Sequence, residues 1–145
     1  MEKTPARLRR VPSRLLALAA AQADRVVSSG LAELDARKWH YSALVALHES
    51  GPASQAELSD RTGIYRSDLV TVINELAERG LVARTPDPED RRRNVISLTE
   101  AGRERFVRLD EALAAMQDEL MSPLTAAERE QLVDLLLKLV LPKRP

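Results

Sequence analysis

Strand signal is confined to one short stretch of this 145-residue chain, residues 81–85 and 94–98. Between the two runs, Pro86, Asp87, Pro88, Glu89 and Asp90 make a turn, and Arg91, Arg92 and Arg93 follow at or just past its tip. A lone two-stranded hairpin is marginal in water, so this one must lean on helices beside it. The rest of the chain reads as helix. The expected fold is therefore mainly α with a small β-hairpin.

The helix that precedes the hairpin has two faces. Over residues 65–80, Leu69, Val72, Ile73 and Leu76 recur at i, i+3, i+4 and i+7 and share one stripe. Ser67, Val70, Thr71 and Asn74 fall roughly opposite, small or hydrogen-bonding, without the Glu/Lys mixture of an ordinary solvated face. Gly80 supplies the stop. Upstream, Ser54 and Glu57 have capping-box spacing, and a short helix follows to about Arg61 with Ala56 and Leu58 inward. Thr62 and Gly63 make the turn. A capped short helix, a turn and a second helix with a polar outer stripe form a helix-turn-helix layout, whose second helix can lie in a DNA major groove. A hairpin directly after it is the wing of a winged helix, and an arginine at its tip suits the narrow minor groove. A plain core helix and a solvated loop would use the same residue types; the order of the three pieces favours the winged helix.

Composition excludes several classes. Hydrophobic residues make up 44% and charged residues 30%, as in a globular domain. No apolar run would span a bilayer, and residues 1–10 lack the apolar centre of a secretory signal, so no membrane partner and a cytoplasmic location are expected. With no Cys and two His there is no metal-ligand cluster. No glycine-rich phosphate loop and no nucleophile–base–acid set stands out, so neither an enzyme nor a cofactor is expected. The formal net charge is zero, so local clusters must carry any affinity for nucleic acid. The 22 basic residues are 18 Arg and 4 Lys, which suits bidentate contacts but also fits a codon bias.

Lys3, Arg7, Arg9 and Arg10 form a short basic arm, for which a simple solvated terminus is the stronger reading. An Ala- and Leu-rich helix then runs from Pro12 or Ser13 to Leu34, about 30 Å at 1.5 Å per residue. That length overhangs a compact core and suggests packing on a second subunit. A second helix covers residues 38–49. Its Trp39, His40 and Tyr41 suit either core anchoring, the stronger reading for Trp39, or the grip on an apolar ligand. Near the other end, Thr99 caps a helix over residues 100–120, and Thr125 and Glu128 make another capping box. Leu132, Leu135, Leu136, Leu139 and Val140 then form a stripe too apolar to stay exposed. Residues 1–36 and 100–145 are thus expected to be a helical dimerisation region around a winged helix-turn-helix at 37–99, in one intertwined domain. Such a two-fold dimer calls for a near-palindromic operator with half-sites about one turn apart.

The chain resembles the MarR (multiple antibiotic resistance regulator) family of winged-helix transcription factors. The likeness is carried by Glu78-Arg79-Gly80-Leu81-Val82, by the wing Pro86-Asp87-Pro88-Glu89-Asp90-Arg91-Arg92, by the exit Leu98-Thr99-Glu100-Ala101-Gly102, and by the entry Gly51-Pro52-Ala53-Ser54-Gln55-Ala56-Glu57-Leu58. Two departures stand out. Tyr65 replaces the usual Ser or Asp cap, and Val70-Thr71 replaces a common Ser/Thr-Arg pair, so the usual arginine readout of guanine is missing. Base readout is then expected from Arg66, Ser67, Thr71 and Asn74, with Val70 against a thymine methyl.

On chemical grounds Arg92 is the expected minor-groove contact, with Asp90 either orienting its guanidinium or serving only as a turn residue. Arg91 and Arg93 are expected on phosphates, alternating in direction along the hairpin. Ser54 and Gln55, at a helix N-terminus, also suit a phosphate. The resemblance implies a ligand-responsive repressor that binds operator DNA as a homodimer, with a small aromatic or anionic effector between the dimer helices and the winged helix. Trp39, His40 and Tyr41, with Arg14 as anion partner, are the candidates for that pocket. The alternative is a winged-helix protein-interaction module that does not bind DNA.

Overall fold

A computed structural model describes residues 3–142. Residues 1–2 and 143–145 of the expected dimerisation region lie outside the described residues. After a 3-10 turn at Leu8–Arg10 come four helices: α1 (Pro12–Glu33), α2 (Lys38–Ser50), α3 (Gln55–Thr62) and α4 (Arg66–Glu78). Two antiparallel strands follow, β1 (Val82–Pro86) and β2 (Asn94–Leu98), then α5 (Glu100–Leu120) and α6 (Ala126–Val140). The expected mainly α winged helix-turn-helix with long flanking helices is what forms.

The core sits where α2, α3 and α4 meet the inner face of the hairpin and α5. Leu69, Val72, Ile73 and Leu76 are each 1% exposed or less and pack with Leu44, Leu58, Ile96 and Leu109. Full burial of such side chains is worth about 1.5–3 kcal/mol each. Gly63 ends α3 in the left-handed region at φ 73°, a conformation that costs other residues strain. This lets α4 turn away from α3 within a few residues.

The hairpin does lean on helices, and it gains a further contact that no strand pattern marked. Ala53, just before α3, donates to the Ile96 carbonyl at 3.0 Å and accepts from its N–H at 2.8 Å. That exchange stitches the base of the wing to the entrance of α3. Leu81 stays out of the ladder; its N–H goes to the Leu76 carbonyl at 2.9 Å, closing α4. The start of α5 is pressed onto the same turn. Thr99 donates its hydroxyl to the Gly80 carbonyl at 2.6 Å, and a Cβ on Gly102 would lie 2.0 Å from the Leu81 carbonyl oxygen.

Three local expectations change. Ser54 caps α3 by accepting from the Glu57 N–H at 3.2 Å, but Glu57 takes the Ser54 hydroxyl at 3.1 Å instead of its backbone N–H, so the box is half formed. Ala56 is only partly buried, since helical spacing turns it away from the line through Leu58. Trp39 is not a core anchor: it is 43% exposed, because His40, Ala43, Leu44 and Leu47 are the residues α2 buries.

Candidate nucleic-acid interface

The apolar stripe of α4 fixes its opposite stripe outward. Arg66, Ser67, Val70, Thr71 and Asn74 are all exposed. Tyr65, the N-cap residue, is 80% exposed and makes no side-chain cap; only Asp68 offers the first turn an acidic group. α4 carries one arginine, Arg66, against three carboxylates, Asp68, Glu75 and Glu78.

The wing tip is ordered by its own polar groups. Asp90 accepts from the Arg92 backbone N–H and from Nε, each at 3.1 Å, while Nη2 reaches its other oxygen at 3.4 Å. The two readings of Asp90 thus hold together, since one carboxylate shapes the turn and orients the guanidinium. The hydrogen bonds from the Arg92 side chain and then its backbone hold the Asp90 carboxyl below its ordinary pKa. Arg92 remains 90% exposed. Arg91 is exposed. Arg93 turns back instead, with Nη2 3.4 Å from the Ser54 hydroxyl. Ser54 is buried, and its hydroxyl is engaged with Glu57 and Arg93. Gln55 is partly exposed beside it.

One residue of this surface escaped sequence reading. Arg84 on β1 donates through Nη2 to Oδ1 of Asn74 on α4. It pairs in register with the fully buried Ile96, so both side chains rise from the hairpin face that covers the helices. An arginine at an inward-facing position of the strand period was the signal that could have found it.

The proposed effector residues do not converge within one protomer. Consecutive residues of a helix point about 100° apart, and α2 sends the three aromatics to three places. Trp39 lies along an open groove of about 420 Å³ with Ser28, Ala32 and Arg37. The Tyr41 hydroxyl donates to Asp110 at 2.7 Å, and burial followed by that carboxylate pushes its pKa up to about 12. His40 is buried and spent on structure. Its Nδ1 accepts from the Arg37 N–H at 3.1 Å, and its Nε2 lies 2.5 Å from Glu75 on the inner side of α4. Burial lowers the His40 pKa despite that carboxylate, so the ring is neutral and donates to Glu75. Glu75, also bonded by Arg37, is held below its ordinary value by His40 first and Arg37 second. Arg14, near the start of α1, stands about 28 Å along the helix from its end before Trp39. Its Nη1 is buried without a hydrogen-bond partner, alone among buried side-chain polar atoms of the described residues.

The α1–α2 turn is a second junction the sequence did not announce. Arg79 donates to the Asp35 carbonyl at 2.6 Å and Arg105 to the Leu34 carbonyl. Asp35 holds φ 55° there. Through these contacts the turn after α1, the C-terminal end of α4 and the second turn of α5 are tied together. Among the described residues no group of His and acidic side chains could hold a metal, and no helix is long and apolar enough to cross a membrane.

A capped α3, a left-handed glycine turn, an outward-striped α4 and an arginine-tipped hairpin define a winged helix-turn-helix protein. Residues 34–93 match the MarR family. The chain is 34% identical over 97 residues to the HTH-type transcriptional repressor NicR of Pseudomonas putida, an alignment covering 67% of this chain and 61% of NicR. It thus spans about three fifths of that relative's length. The PcaV transcriptional regulator of Streptomyces coelicolor, solved in complex with its natural ligand, superposes with a TM-score of 0.77 at 28% identity over 94% of this chain and 96% of PcaV. A mutant MarR from E. coli, solved complexed with operator DNA, gives a TM-score of 0.78 at 24% identity over 95% and 100% of the two chains, a likeness of fold. The chain belongs to the MarR family.

Proposed function

We propose that this chain is a ligand-responsive transcriptional repressor that binds a near-palindromic operator as a homodimer, α4 entering the major groove and the wing the minor groove. The observation that carries the reading is the exposed, largely uncharged stripe of α4 beside a wing whose Arg92 is held outward by Asp90. Arg66, Ser67, Val70, Thr71 and Asn74 read base edges; Arg91, Arg93 and Gln55 sit near phosphates, with Ser54 positioning Arg93. The NicR and MarR likenesses support this use of the fold. The protein works in the cytoplasm and performs no catalytic step.

Residues 1–36 and 100–145 form the dimerisation region. Its support is the apolar surface left open on α1 and α6, where Leu15, Leu16, Leu18, Leu135 and Leu139 are 40–68% exposed. An aromatic or anionic effector then binds where the two copies meet. Arg14 supplies the charge through its unpaired Nη1, and Trp39 supplies an apolar wall. A ligand that binds better to one spacing of the two α4 helices shifts the population away from the DNA-competent state.

Selection of bound genomic fragments, followed by competition with aromatic carboxylic acids, tests the whole reading. Fragments should be retained at low salt and released by an acid of this class, and Arg14→Ala should blunt the release. Zero net charge favours a second reading, a protein-interaction module without DNA binding. Absence of any retained fragment at low salt would select it.

A further inference from the structure

Taking α4 as the groove helix, we propose that Arg84, from the first wing strand, is a DNA-phosphate contact that supplies the charge α4 lacks. α4 brings a single cation, Arg66, toward a polyanion; of its three carboxylates, Glu75 is held on the inner side by His40 and Arg37. Neutralising phosphates provides most of the sequence-independent affinity of such proteins, so cations must reach this face from another element. Arg84 does so. Its stem lies on the hairpin face that covers the helices, and its guanidinium ends on Asn74, a member of the outward stripe.

The choice of partner matters. Asn74 is neutral and orients the guanidinium fork without cancelling its charge. Among the described residues no carboxylate stands within ion-pair distance of Arg84, and the residue is exposed. Arg92 by contrast shares its charge with Asp90. Arg84 is therefore a cation held in place and left uncompensated.

Its position along α4 selects phosphate over base. Asn74 lies eight residues past Arg66, about 12 Å along the axis. Residues at the N-terminal end of a recognition helix meet base edges, so Asn74 is the last of the base-reading positions, and Arg84, which reaches it from the hairpin side, falls at the rim of the groove, where the sugar-phosphate backbone runs.

The test uses the full-length protein and a genomic fragment that the wild type retains. Affinity is measured between about 50 and about 200 mM salt for wild type, Arg84→Gln and Arg84→Lys. Each phosphate contact adds about 0.9 to the slope of log K against log salt. With one contact per subunit, Arg84→Gln should flatten the slope by about 2 per dimer and shrink the salt-induced loss about tenfold. Arg84→Lys should keep the wild-type slope. The change should be equal on fragments altered at the bases facing α4. Arg84→Met, which keeps the aliphatic stem along the hairpin, is measured beside the Gln variant so that a folded, charge-free protein is available. A neutral variant with the wild-type slope would overturn the proposal, whether or not its melting temperature falls. So would a loss confined to one base pair, which would make Arg84 a base reader. Failure of the wild type to retain any fragment is a separate result that removes the DNA-binding reading itself.

Discussion

α4 and α6 are similar in length and opposite in burial. α4 buries Leu69, Val72, Ile73 and Leu76 among its 13 residues, whereas α6, with 15 residues and a richer supply of leucines, buries none. α1 resembles α6, with Leu31 alone buried among 22 residues. The stripe of α4 is matched within one chain by α2, α3, β2 and α5. The stripes of α1 and α6 are not, so apolar content alone does not say where a core lies. The centre should stand or fall with one chain's own packing, and the flanks should respond to protein concentration.

The largest effect expected is at the centre. Ile73→Ala should cost about 2–5 kcal/mol, because it removes fully buried methylenes and leaves a cavity. Urea unfolding measures it, and a loss below about 1 kcal/mol would mean that the core collapses around the gap. Next comes Gly102→Ala, whose added Cβ meets the Leu81 carbonyl. Moving α5 off that turn should cost about 1–3 kcal/mol, read as a lower melting temperature. At the flanks, Leu135→Glu with Leu139→Glu should leave the fold of the central unit intact by circular dichroism while shifting sedimentation toward monomer. A variant that stays dimeric would break the contrast between α4 and α6.

A smaller effect, confined to the centre, appears through pH. The folded pKa of His40 lies below 6.5, the unfolded value, so the unfolded chain binds this proton first. The contribution is complete above about 6.5 and is lost as pH falls below it, until the folded ring also protonates. A second proton on the ring must go to Nδ1, which would end the hydrogen bond from Arg37 at the start of α2. Glu75, also lowered, adds a loss of the same sign at pH below 4.5. Urea midpoints measured from about pH 7.5 to pH 5 should fall, and His40→Gln should flatten that fall. The smallest effect on stability belongs to Arg92→Ala, which should weaken operator binding with the melting temperature unchanged. A large drop in melting temperature would make Arg92 structural.

The geometry of the candidate surface was legible in the sequence where it depended on helical period. Four apolar residues at i, i+3, i+4 and i+7 orient Ser67, Val70, Thr71 and Asn74 by elimination, and the turn chemistry of Asp90 foretells its hold on Arg92. It was not legible where a side chain's partner lies far away. Arg84 read as an ordinary strand residue until Asn74 met it, and nothing local foretold that Arg93 would turn back to Ser54. Trp39, His40 and Tyr41 looked like one aromatic group, but adjacent positions on a helix cannot face one cavity.

What the sequence determined by itself was the order and extent of the elements, the inward stripe of α4 and the arginine-tipped turn, because periodicity, caps and turn residues act over a few positions. Tertiary structure alone decided that His40 is spent on Glu75, that the α1–α2 turn is clamped by Arg79 and Arg105, and that Arg84 reaches the outer face of α4. These pairs join residues from different elements. A hydrogen bond depends on separations of a few tenths of an ångström, and only the packed core sets those distances across the chain.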